Sequence, residues 1–274
     1  MYATEIRGGL DYAPCRYGKS RVTCRGPKAP ETGYIACLGG TETFGRFVPD
    51  PWPVLLGDGL ERPIANFGQI NAGLDLYLND AVIAGLAASA DAAVLQVMGA
   101  ANMSNRFYSV HPRRNDRFVK ASDTLQRLYP EVDFSQISFV GALIATLIEA
   151  DAERFGFVMH EVQTAWVARM KKLLDSLSGP AWLLWMGTAP PPDAMPLDYG
   201  IGREPAFITR DMLDALKRRI RGCIEVVEPS DHASTEGMVF SEFDAVIARQ
   251  MLGVAAHERA ADALSAAMSE TVSQ

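Results

Sequence analysis

The sequence predicts a three-layer α/β/α fold with a doubly wound, mainly parallel sheet of five strands. Five short apolar runs alternate along the chain with stretches that are suited to helices. The runs cover residues 34–40, 63–69, 92–99, 181–187 and 224–229. Their apolar character is continuous rather than alternating, as expected of parallel strands that helices cover on both faces. Because strands and helices alternate, a doubly wound α/β domain is the architecture that fits.

The segments between the runs carry helix signals. Asp50 and Pro51 are suited to the N-cap and the first position of a helix. Between residues 160 and 178, apolar side chains recur on one helical stripe, and Gly179 and Pro180 then end the helix. The stripe consists of Val162, Trp166, Met170, Leu173 and Leu177.

The chain divides into a short arm and one large domain. Residues 1–33 are rich in turns and basic side chains, and we expect them to form an arm that packs on the main domain. Residues 34–274 contain all the predicted strands and are expected to form a single domain. At 274 residues, the chain is long enough to bury one large core.

Composition and charge argue against several classes of function. The formal net charge of −7 argues against general nucleic-acid binding. No apolar run approaches the ~20 residues that cross a bilayer, and the first residues, MYATEIRGGLDY, contain no apolar leader segment, so we expect a cytoplasmic protein without a membrane span. The scattered histidines and cysteines have no metal-binding spacing, which predicts no metal site and no required cofactor. The expected partner is a small-molecule or carbohydrate substrate, and no pattern specifies an oligomeric state.

Polar groups collect where the first three predicted strands end. The first strand leads into GGTETFG (39–45), the second into NFGQINAG (66–73) and the third into MGAANMSNR (98–106). In an open parallel sheet, ligands bind at the carboxyl ends of the strands. Backbone N–H groups of glycine and side-chain amides of asparagine are donors suited to a developing oxyanion. The expected pair is the N–H of Gly68 and the amide of Asn102.

These three segments resemble the motif blocks of the SGNH/GDSL hydrolase superfamily. GGTETFG is similar to the GDSxTxG block, NFGQINAG to the NxG turn and GAAN to the GxND block. The resemblance implies an SGNH/flavodoxin-like fold and an ester hydrolase or acyltransferase. It places Thr41 at the nucleophile position, Gly68 at the oxyanion glycine and Asn102 at the oxyanion asparagine. Gly40 and Asn71, from the same segments, are expected to contact the substrate.

The resemblance covers residues 34–105 and includes two departures from the superfamily. The usual serine is Thr41, and the aspartate before it is Gly40. A threonine hydroxyl attacks a carbonyl when a base activates it, but its methyl group restricts the rotamers and crowds the approach. The alternative is that the Thr41 hydroxyl caps a turn, or binds a ligand without covalent chemistry.

The chain also resembles a narrower bacterial family over nearly its full length, and this resemblance implies no particular activity. It rests on CRYGKSR, RGP, GGTETFG and NRFYSVHPRRNDRF. The last motif, residues 105–118, contains the cationic residues Arg106, His111, Arg113, Arg114 and Arg117. Guanidinium groups bind phosphate, sulfate or carboxylate bidentately, so the motif predicts an anionic substrate or a phosphorylated donor such as acyl-CoA. The alternative is a structural network in which the arginines pair with Asp116, Asp123 and Asp133.

Two C-terminal histidines are the candidates for a catalytic base. The SGNH superfamily ends with a DxxH block; here His232 follows the fifth predicted strand and His257 precedes the final helix. The residue three positions earlier is Pro229 for His232 and Val254 for His257, so neither has the orienting carboxylate. A histidine without it is still a base, although a less effective one. Otherwise each is a surface or helix-cap histidine, and His111 is a third and less favoured candidate.

Three functions follow from these observations. The first is an SGNH-like acyl-ester hydrolase or acyltransferase that acts on an anionic or sugar-linked substrate. The second is a catalytically degenerate SGNH-like fold that binds an anionic ligand or a protein partner. The third is a sulfuryl or phosphoryl transferase in which the glycine-rich turn holds the transferred group, although the sequence has no P-loop lysine.

Overall fold

The computed structural model describes residues 9–195, 205–229 and 234–272 of the chain. The strands are β1 (Ile35–Leu38), β2 (Ile64–Asn66), β3 (Ala92–Gln96), β4 (Tyr108–Val110), β5 (Phe118–Ala121), β6 (Ala181–Gly187) and β7 (Gly222–Val227). The α-helices are α1 (Thr41–Phe44), α2 (Trp52–Leu60), α3 (Leu74–Asn79), α4 (Ala81–Ser89), α5 (Asp123–Leu128), α6 (Val140–Ala150), α7 (Ala152–Asp175), α8 (Arg210–Asp214), α9 (Ala245–Ala248) and α10 (Val254–Val272).

Five strands form one parallel sheet in the order β2-β1-β3-β6-β7. Strand β1 lies between β2 and β3, so that Ile35 is opposite Ile64 on one side and Ala92 on the other. The five strands overlap the five apolar runs of the sequence. Helices flank both faces of the sheet, and the predicted three-layer α/β/α fold is confirmed.

Alternate residues of the strands face opposite helix layers. On one face, Ile35 and Cys37 of β1 belong to a core that includes Trp52 of α2 and Leu264 of α10. On the other face, Leu38 belongs to the larger core, which α3, α4, α6 and α7 complete. Because helices cover both faces, the strands show continuous apolar character in the sequence.

Helix α7 carries the predicted apolar stripe. The side chain of Asp151 caps its first turn by accepting a hydrogen bond from the N–H of Arg154 (2.9 Å). The buried members of the stripe are Val162, Trp166, Met170 and Leu173. Leu177 lies beyond the end of the helix and is partly buried. Neither α7 nor any other helix in the described ranges is long and apolar enough to cross a membrane.

Strands β4 and β5 form an antiparallel ribbon that the apolar pattern did not predict. The loop between them, residues 111–117, contains four of the five basic residues of the motif at 105–118, namely His111, Arg113, Arg114 and Arg117. Tyr108, Val110 and Phe118 are buried, so one side of the ribbon packs against the larger core. The two strands have three and four residues, which is too short for a recognisable alternation in the sequence.

Residues 9–33 contact the segment that follows α1. Val22 and Cys24 are buried in the larger core. Cys15 and Cys24 exchange two backbone hydrogen bonds of 2.9 Å, and both thiols are free. Arg25 is only 4% exposed, and its guanidinium donates hydrogen bonds to backbone carbonyls. These carbonyls belong to Phe44, Gly45, Val48 and Pro49.

Candidate functional site

Close packing explains two of the glycines in the turn between β1 and α2. A Cβ at Gly39 would lie 2.1 Å from Thr43 Oγ1 and 2.6 Å from the Cβ of Gln96, so a larger residue does not fit. Gly45 ends α1 with a φ of 74°, and a Cβ there would lie 2.3 Å from the Cβ of Pro51. Glycine is therefore needed at both positions.

Gln96, the last residue of β3, fixes the start of α1. Its Oε1 accepts hydrogen bonds from the N–H of Gly40 (2.9 Å), the N–H of Thr43 (3.1 Å) and the Thr43 hydroxyl (2.6 Å). Its Nε2 donates to Glu42 Oε2 (2.6 Å). Gln96 is 4% exposed, so these contacts replace water around a buried amide.

Thr41, the first residue of α1, contacts the turn that follows β2. Its Oγ1 accepts a hydrogen bond from the N–H of Asn71 (3.1 Å) and donates to Asn71 Oδ1 (3.4 Å). Asn71 has a φ of 55°, in the left-handed region that asparagine enters more readily than most residues. In this conformation, the backbone N–H of Asn71 is directed at the Thr41 hydroxyl.

Thr41, Asn71 and Asn102 line one cavity of about 80 Å³ at the carboxyl ends of β1, β2 and β3. Asn102 lies against the second-strand turn, where its Nδ2 donates to the carbonyl of Asn71 (3.5 Å). A Cβ at Gly73 would lie 1.7 Å from the carbonyl oxygen of Asn102, so the two segments are in close backbone contact. Gly40 lines the same cavity.

Gly68, the expected oxyanion glycine, packs against α1. Its N–H donates to Asn66 Oδ1 (2.9 Å), and it is not among the residues that line the cavity. A Cβ at Gly68 would lie 2.3 Å from the backbone nitrogen of Phe44. The glycine therefore allows β2 and α1 to approach, while the N–H of Asn71 is the one directed at Thr41.

Glu42 is a titratable group in the wall of the same cavity. Burial raises the pKa of its carboxyl, although the hydrogen bond from Gln96 opposes this effect. A carboxylate with a raised pKa is a stronger proton acceptor than an exposed one. Glu42 therefore adds an acid–base group beside the Thr41 hydroxyl.

A second and larger cavity, of about 870 Å³, is lined in part by residues of the same two segments. Phe44 of α1 and Ile70 of the second-strand turn line it, whereas Thr41 and Asn71 of the same segments line the smaller cavity. We call the larger cavity the arginine groove. Its basic lining residues are Arg21, His111, Arg113, Arg114 and Arg117.

Arg106 is not among the residues that line the arginine groove. Its guanidinium donates to Glu161 Oε2 of α7 (2.7 Å), and its side chain is 70% exposed. This contact is a surface ion pair between the start of the motif and α7. The groove is lined by the four other basic residues of the motif and by Arg21 of the arm.

The aspartates of the alternative network have other partners. Asp116 Oδ2 accepts a hydrogen bond from Asn71 Nδ2 (3.4 Å). Asp133 Oδ1 accepts hydrogen bonds from the N–H and the hydroxyl of Ser135. Within the described residues, neither of these aspartates nor Asp123 forms an ion pair with an arginine of the motif.

His257 is buried on the face of the sheet that α2 and α10 cover. It is 1% exposed, and its Nδ1 accepts a hydrogen bond from the N–H of Trp52 (3.2 Å). Burial, with a smaller effect of the nearby Arg25 charge, lowers the pKa of His257 to about 3. No hydrogen bond in the described ranges joins His257 to Thr41. The imidazole is an acceptor at the start of α2.

We expect the stability of the protein to fall between pH 7 and pH 5 because the His257 imidazole is held neutral. Its pKa is about 6.5 in the unfolded chain and about 3 in the fold, so the unfolded state binds more protons in this interval. The loss from this residue is about 2 kcal/mol and is recovered as the pH rises above 6.5. Urea unfolding at a series of pH values measures it.

Two variants separate this effect from other titrations. His257→Gln removes the titrating group, so its unfolding free energy should depend less on pH than that of the wild type. His160 is exposed on α7, and His160→Gln should keep the wild-type dependence. If His257→Gln and the wild type gave parallel profiles, the buried imidazole would not be the cause.

The other two candidate bases are His232 and His111. His232 lies outside the described residues, and its role stays a prediction from the sequence. His111 lines the arginine groove, and its Nδ1 accepts hydrogen bonds from the N–H groups of Arg113 (3.3 Å) and Arg114 (3.1 Å). Among the residues that the structure describes, no hydrogen bond connects a histidine to Thr41.

No group of three or more histidine, cysteine, aspartate or glutamate side chains in the described ranges is arranged to hold a metal ion. A family model described as "Domain of unknown function (DUF6473)" matches residues 1–272. The chain belongs to this family. The family match therefore includes the arm, the β-sheet domain and α10.

No curated protein matches the DUF6473 chain. Among the solved structures it is similar to the crystal structure of the lipase Lip_vut3 from a goat rumen metagenome, with a TM-score of 0.39 and 15% sequence identity. The alignment covers 86% of the DUF6473 chain and 97% of the lipase chain.

Three residues near the two cavities were absent from the sequence-based site of this DUF6473 chain. Glu42 lies within the GGTETFG motif, and an acidic residue next to the nucleophile position was an available signal. Gln96 is an ordinary polar residue at the end of an apolar run, and only its contacts reveal its role. Arg21 was assigned to the arm, and its position in the groove depends on the fold of residues 9–33.

Proposed function

We propose that the chain is an acyl-ester hydrolase or acyltransferase that acts on an anionic or sugar-linked substrate, with Thr41 as the nucleophile. The observation that carries this proposal is the cavity that Thr41, Asn71 and Asn102 line together. A hydroxyl, a backbone N–H and a side-chain amide at one position are the groups that acyl transfer needs. They lie at the carboxyl edge of a parallel sheet, where ligands bind in folds of this class.

The reaction begins when Thr41 Oγ1 forms a bond to the ester carbonyl carbon and its proton passes to a base. The carbonyl π electrons move to the oxygen, which becomes an oxyanion. The N–H of Asn71, which is 3.1 Å from Thr41 Oγ1, replaces Gly68 as the backbone donor, and Asn102 Nδ2 is the second donor. Collapse expels the alcohol, which takes the proton from the base. Water or a second alcohol then attacks the acyl-enzyme and releases Thr41.

Two groups are candidates for the base in this proposal. His232 corresponds to the histidine that the SGNH resemblance implies. Glu42 lines the cavity, and its carboxyl has a raised pKa because of burial. With Glu42 as the base, the rate rises with pH through a pKa above the usual value of a glutamate. With His232 as the base, the rise occurs near the usual pKa of a histidine, about 6.5.

The test is hydrolysis of p-nitrophenyl acetate and p-nitrophenyl butyrate by the full chain. We expect Thr41→Ala to lower the rate by about 10³-fold or more, because it removes the reacting oxygen. Thr41→Ser keeps the hydroxyl and removes the crowding methyl, so it should retain the activity. Thr124 is exposed on α5, and Thr124→Ala is the matched control with wild-type activity expected.

The base is identified by comparing His232→Ala with Glu42→Gln over pH 4 to 9. The variant that removes the base should lose most of the activity and the corresponding limb of the pH profile. Thr41→Ala with the turnover of the wild type would eliminate Thr41 as the nucleophile. Wild-type protein without ester hydrolysis, and without acyl transfer to added alcohols, would eliminate the enzymatic proposal.

A second candidate function is the binding of an anionic ligand without turnover. Two observations favour it. Thr41 Oγ1 is satisfied by Asn71 alone as donor and acceptor, and the arginine groove is ten times larger than the cavity at Thr41. Transfer of a sulfuryl or phosphoryl group, the third function that the sequence suggests, requires the transferred group to bind at the glycine-rich turn, where Gly40 lines the smaller cavity. An inactive wild-type chain that binds anions in the groove would support this second function.

A further inference from the structure

The arginine groove concentrates positive charge in an acidic protein. The chain has a formal net charge of −7, yet four arginines and no carboxylate line the groove. Within the described residues, Arg21, Arg113 and Arg114 have no ion pair with an acidic side chain. The guanidinium of Arg117 stacks over the ring of Phe139, 3.9 Å from its centroid, which leaves its N–H edge for another partner. Charge segregation of this kind attracts an anionic ligand.

The backbone that carries Arg21 is held in place on both sides of the residue. The Ser20 hydroxyl donates to Asp80 Oδ2 (2.8 Å), and the N–H of Val22 donates to the Ser20 hydroxyl (3.0 Å). Val22 is buried, and the carbonyl of Thr23 accepts a hydrogen bond from Gln69 Nε2 (3.1 Å). Arg21 therefore enters the groove from an ordered segment and not from a free terminus.

The opposite wall of the groove, residues 111–117, is fixed by a buried asparagine. Asn115 is 1% exposed, its Nδ2 donates to the carbonyl of His111 (3.0 Å), and its Oδ1 accepts from the N–H of Gly73 (2.9 Å). The carbonyl of Arg114 accepts the N–H of Arg117 (2.8 Å), which closes a tight turn. The loop that carries the three arginines is thus attached to Gly73, which precedes α3.

His111 adds a neutral donor to this wall. Its Nδ1 accepts two backbone N–H groups, from Arg113 and Arg114, so the ring proton of the neutral imidazole is on Nε2. His111 lines the groove, and its Nε2–H is left to bind a ligand oxygen. An imidazole N–H beside guanidinium forks is a donor set for a group that has several oxygens.

The groove also has apolar walls and a size that exceeds a single small ion. Its volume of about 870 Å³ is in the range of sites for cofactor-sized molecules. Phe44 and Ile70, from the segments that also carry Thr41 and Asn71, line the groove, and Ile70 is 40% exposed. Arg21 and Arg113 also border an adjoining cavity of about 330 Å³, which Lys19 and Asp80 line as well.

We propose that the arginine groove binds the phosphate groups of a phosphorylated small molecule, with at least two negative charges shared between Arg21 of the arm and Arg113, Arg114 and Arg117 of the ribbon loop. The four guanidinium groups on the two walls carry more positive charge than one carboxylate neutralises. They fit a diphosphate or two neighbouring phosphates. The apolar wall then contacts the organic part of the ligand. This inference deepens the proposed function by naming the class of substrate or donor, but binding itself does not depend on Thr41.

The probe is inorganic pyrophosphate, titrated calorimetrically into the full chain at constant ionic strength. Sulfate and citrate are the comparison anions, because they have similar charge without the diphosphate geometry. We expect pyrophosphate to bind at least about tenfold more tightly than either. Loss of one charged donor weakens a bound anion by about tenfold, so Arg21→Met and Arg113→Met should each have this effect. Arg106→Met, outside the groove, should leave the affinity unchanged.

Thr41→Ala separates this inference from the proposed function. Pyrophosphate binding should persist in Thr41→Ala even though ester hydrolysis is lost. Pyrophosphate that binds no better than sulfate or citrate would overturn the assignment to phosphate, and so would equal effects of Arg106→Met and Arg21→Met. Arg21→Lys is the check on folding: it should keep the circular dichroism spectrum and part of the affinity, and a wild-type affinity in Arg21→Met would remove the arm from the site.

Discussion

We expect Arg25→Met to lower the free energy of unfolding by about 3–5 kcal/mol. The Arg25 guanidinium is buried and donates to four backbone carbonyls, one at the end of α1 and three in the segment between α1 and α2. Methionine keeps the apolar length of the side chain but has no donors, so buried carbonyls lose their partners. Urea unfolding at pH 7, followed by tryptophan fluorescence, measures the difference.

Arg16→Met is the matched control in the same arm. Arg16 is exposed, and its Nε donates only to Thr23 Oγ1 (3.1 Å). Its replacement should change the stability by less than about 0.5 kcal/mol. Arg25→Lys retains a charge and some donors, and its stability should lie between those of the wild type and Arg25→Met. Equal stability of Arg16→Met and Arg25→Met would mean that the carbonyl contacts of Arg25 contribute nothing.

Gln96→Leu should be of similar or greater effect, with a loss of about 3–6 kcal/mol in unfolding free energy. Leucine has nearly the same size but leaves the N–H of Gly40 and both donors of Thr43 without an acceptor. Glu42 also loses the donor that Nε2 supplies. Because these groups hold the first turn of α1, the position of the Thr41 hydroxyl should be lost along with stability.

Two comparisons define the cause of the Gln96 effect. Gln126 is exposed on α5, and Gln126→Leu should cost less than about 0.5 kcal/mol. Gln96→Glu keeps the acceptor but places a second carboxylate next to Glu42. The pair then has a raised pKa in the fold, so stability should be present at acid pH and fall as the pH rises. A Gln96→Leu variant as stable as Gln126→Leu would contradict the role of the amide.

The fold was predictable because each strand of the main sheet leaves a continuous apolar run. Ile35 and Cys37 face one helix layer and Leu38 faces the other, so burial on both faces is visible in the sequence alone. The β4–β5 ribbon was not predictable in the same way. Its strands are short, and the bulge between Ser109 and Val110 breaks the period that the prediction depends on.

The candidate site was predictable at the level of segments and less so at the level of atoms. The motifs predicted that Thr41 and Asn102 lie close together, because the carboxyl ends of parallel strands meet at one edge of the sheet. Both residues line one cavity. The exchange of Gly68 for Asn71 as the donor next to Thr41 depends on the left-handed φ of Asn71. A sequence does not specify which N–H of a turn points at a hydroxyl, and the buried position of His257 is equally a property of packing.

The proposed phosphate-binding site in the groove also depends on tertiary contacts that the sequence does not show. The arginines of residues 111–117 were recognisable as a cluster because they are neighbours along the chain. Arg21 joins them through contacts of Ser20 and Val22 with the main domain. Such an association between distant segments follows from tertiary structure and leaves no local pattern.

The polar groups of the two cavities come from different segments of the chain. The four arginines of the groove come from residues 9–33 and from the loop between β4 and β5, whereas the hydroxyl and amides around the smaller cavity come from the segments that directly follow β1, β2 and β3. Under the two proposals, the groups that bind the ligand can therefore change independently of the groups proposed to react. This separation favours relatives that bind different ligands in the groove and keep the same groups around the smaller cavity.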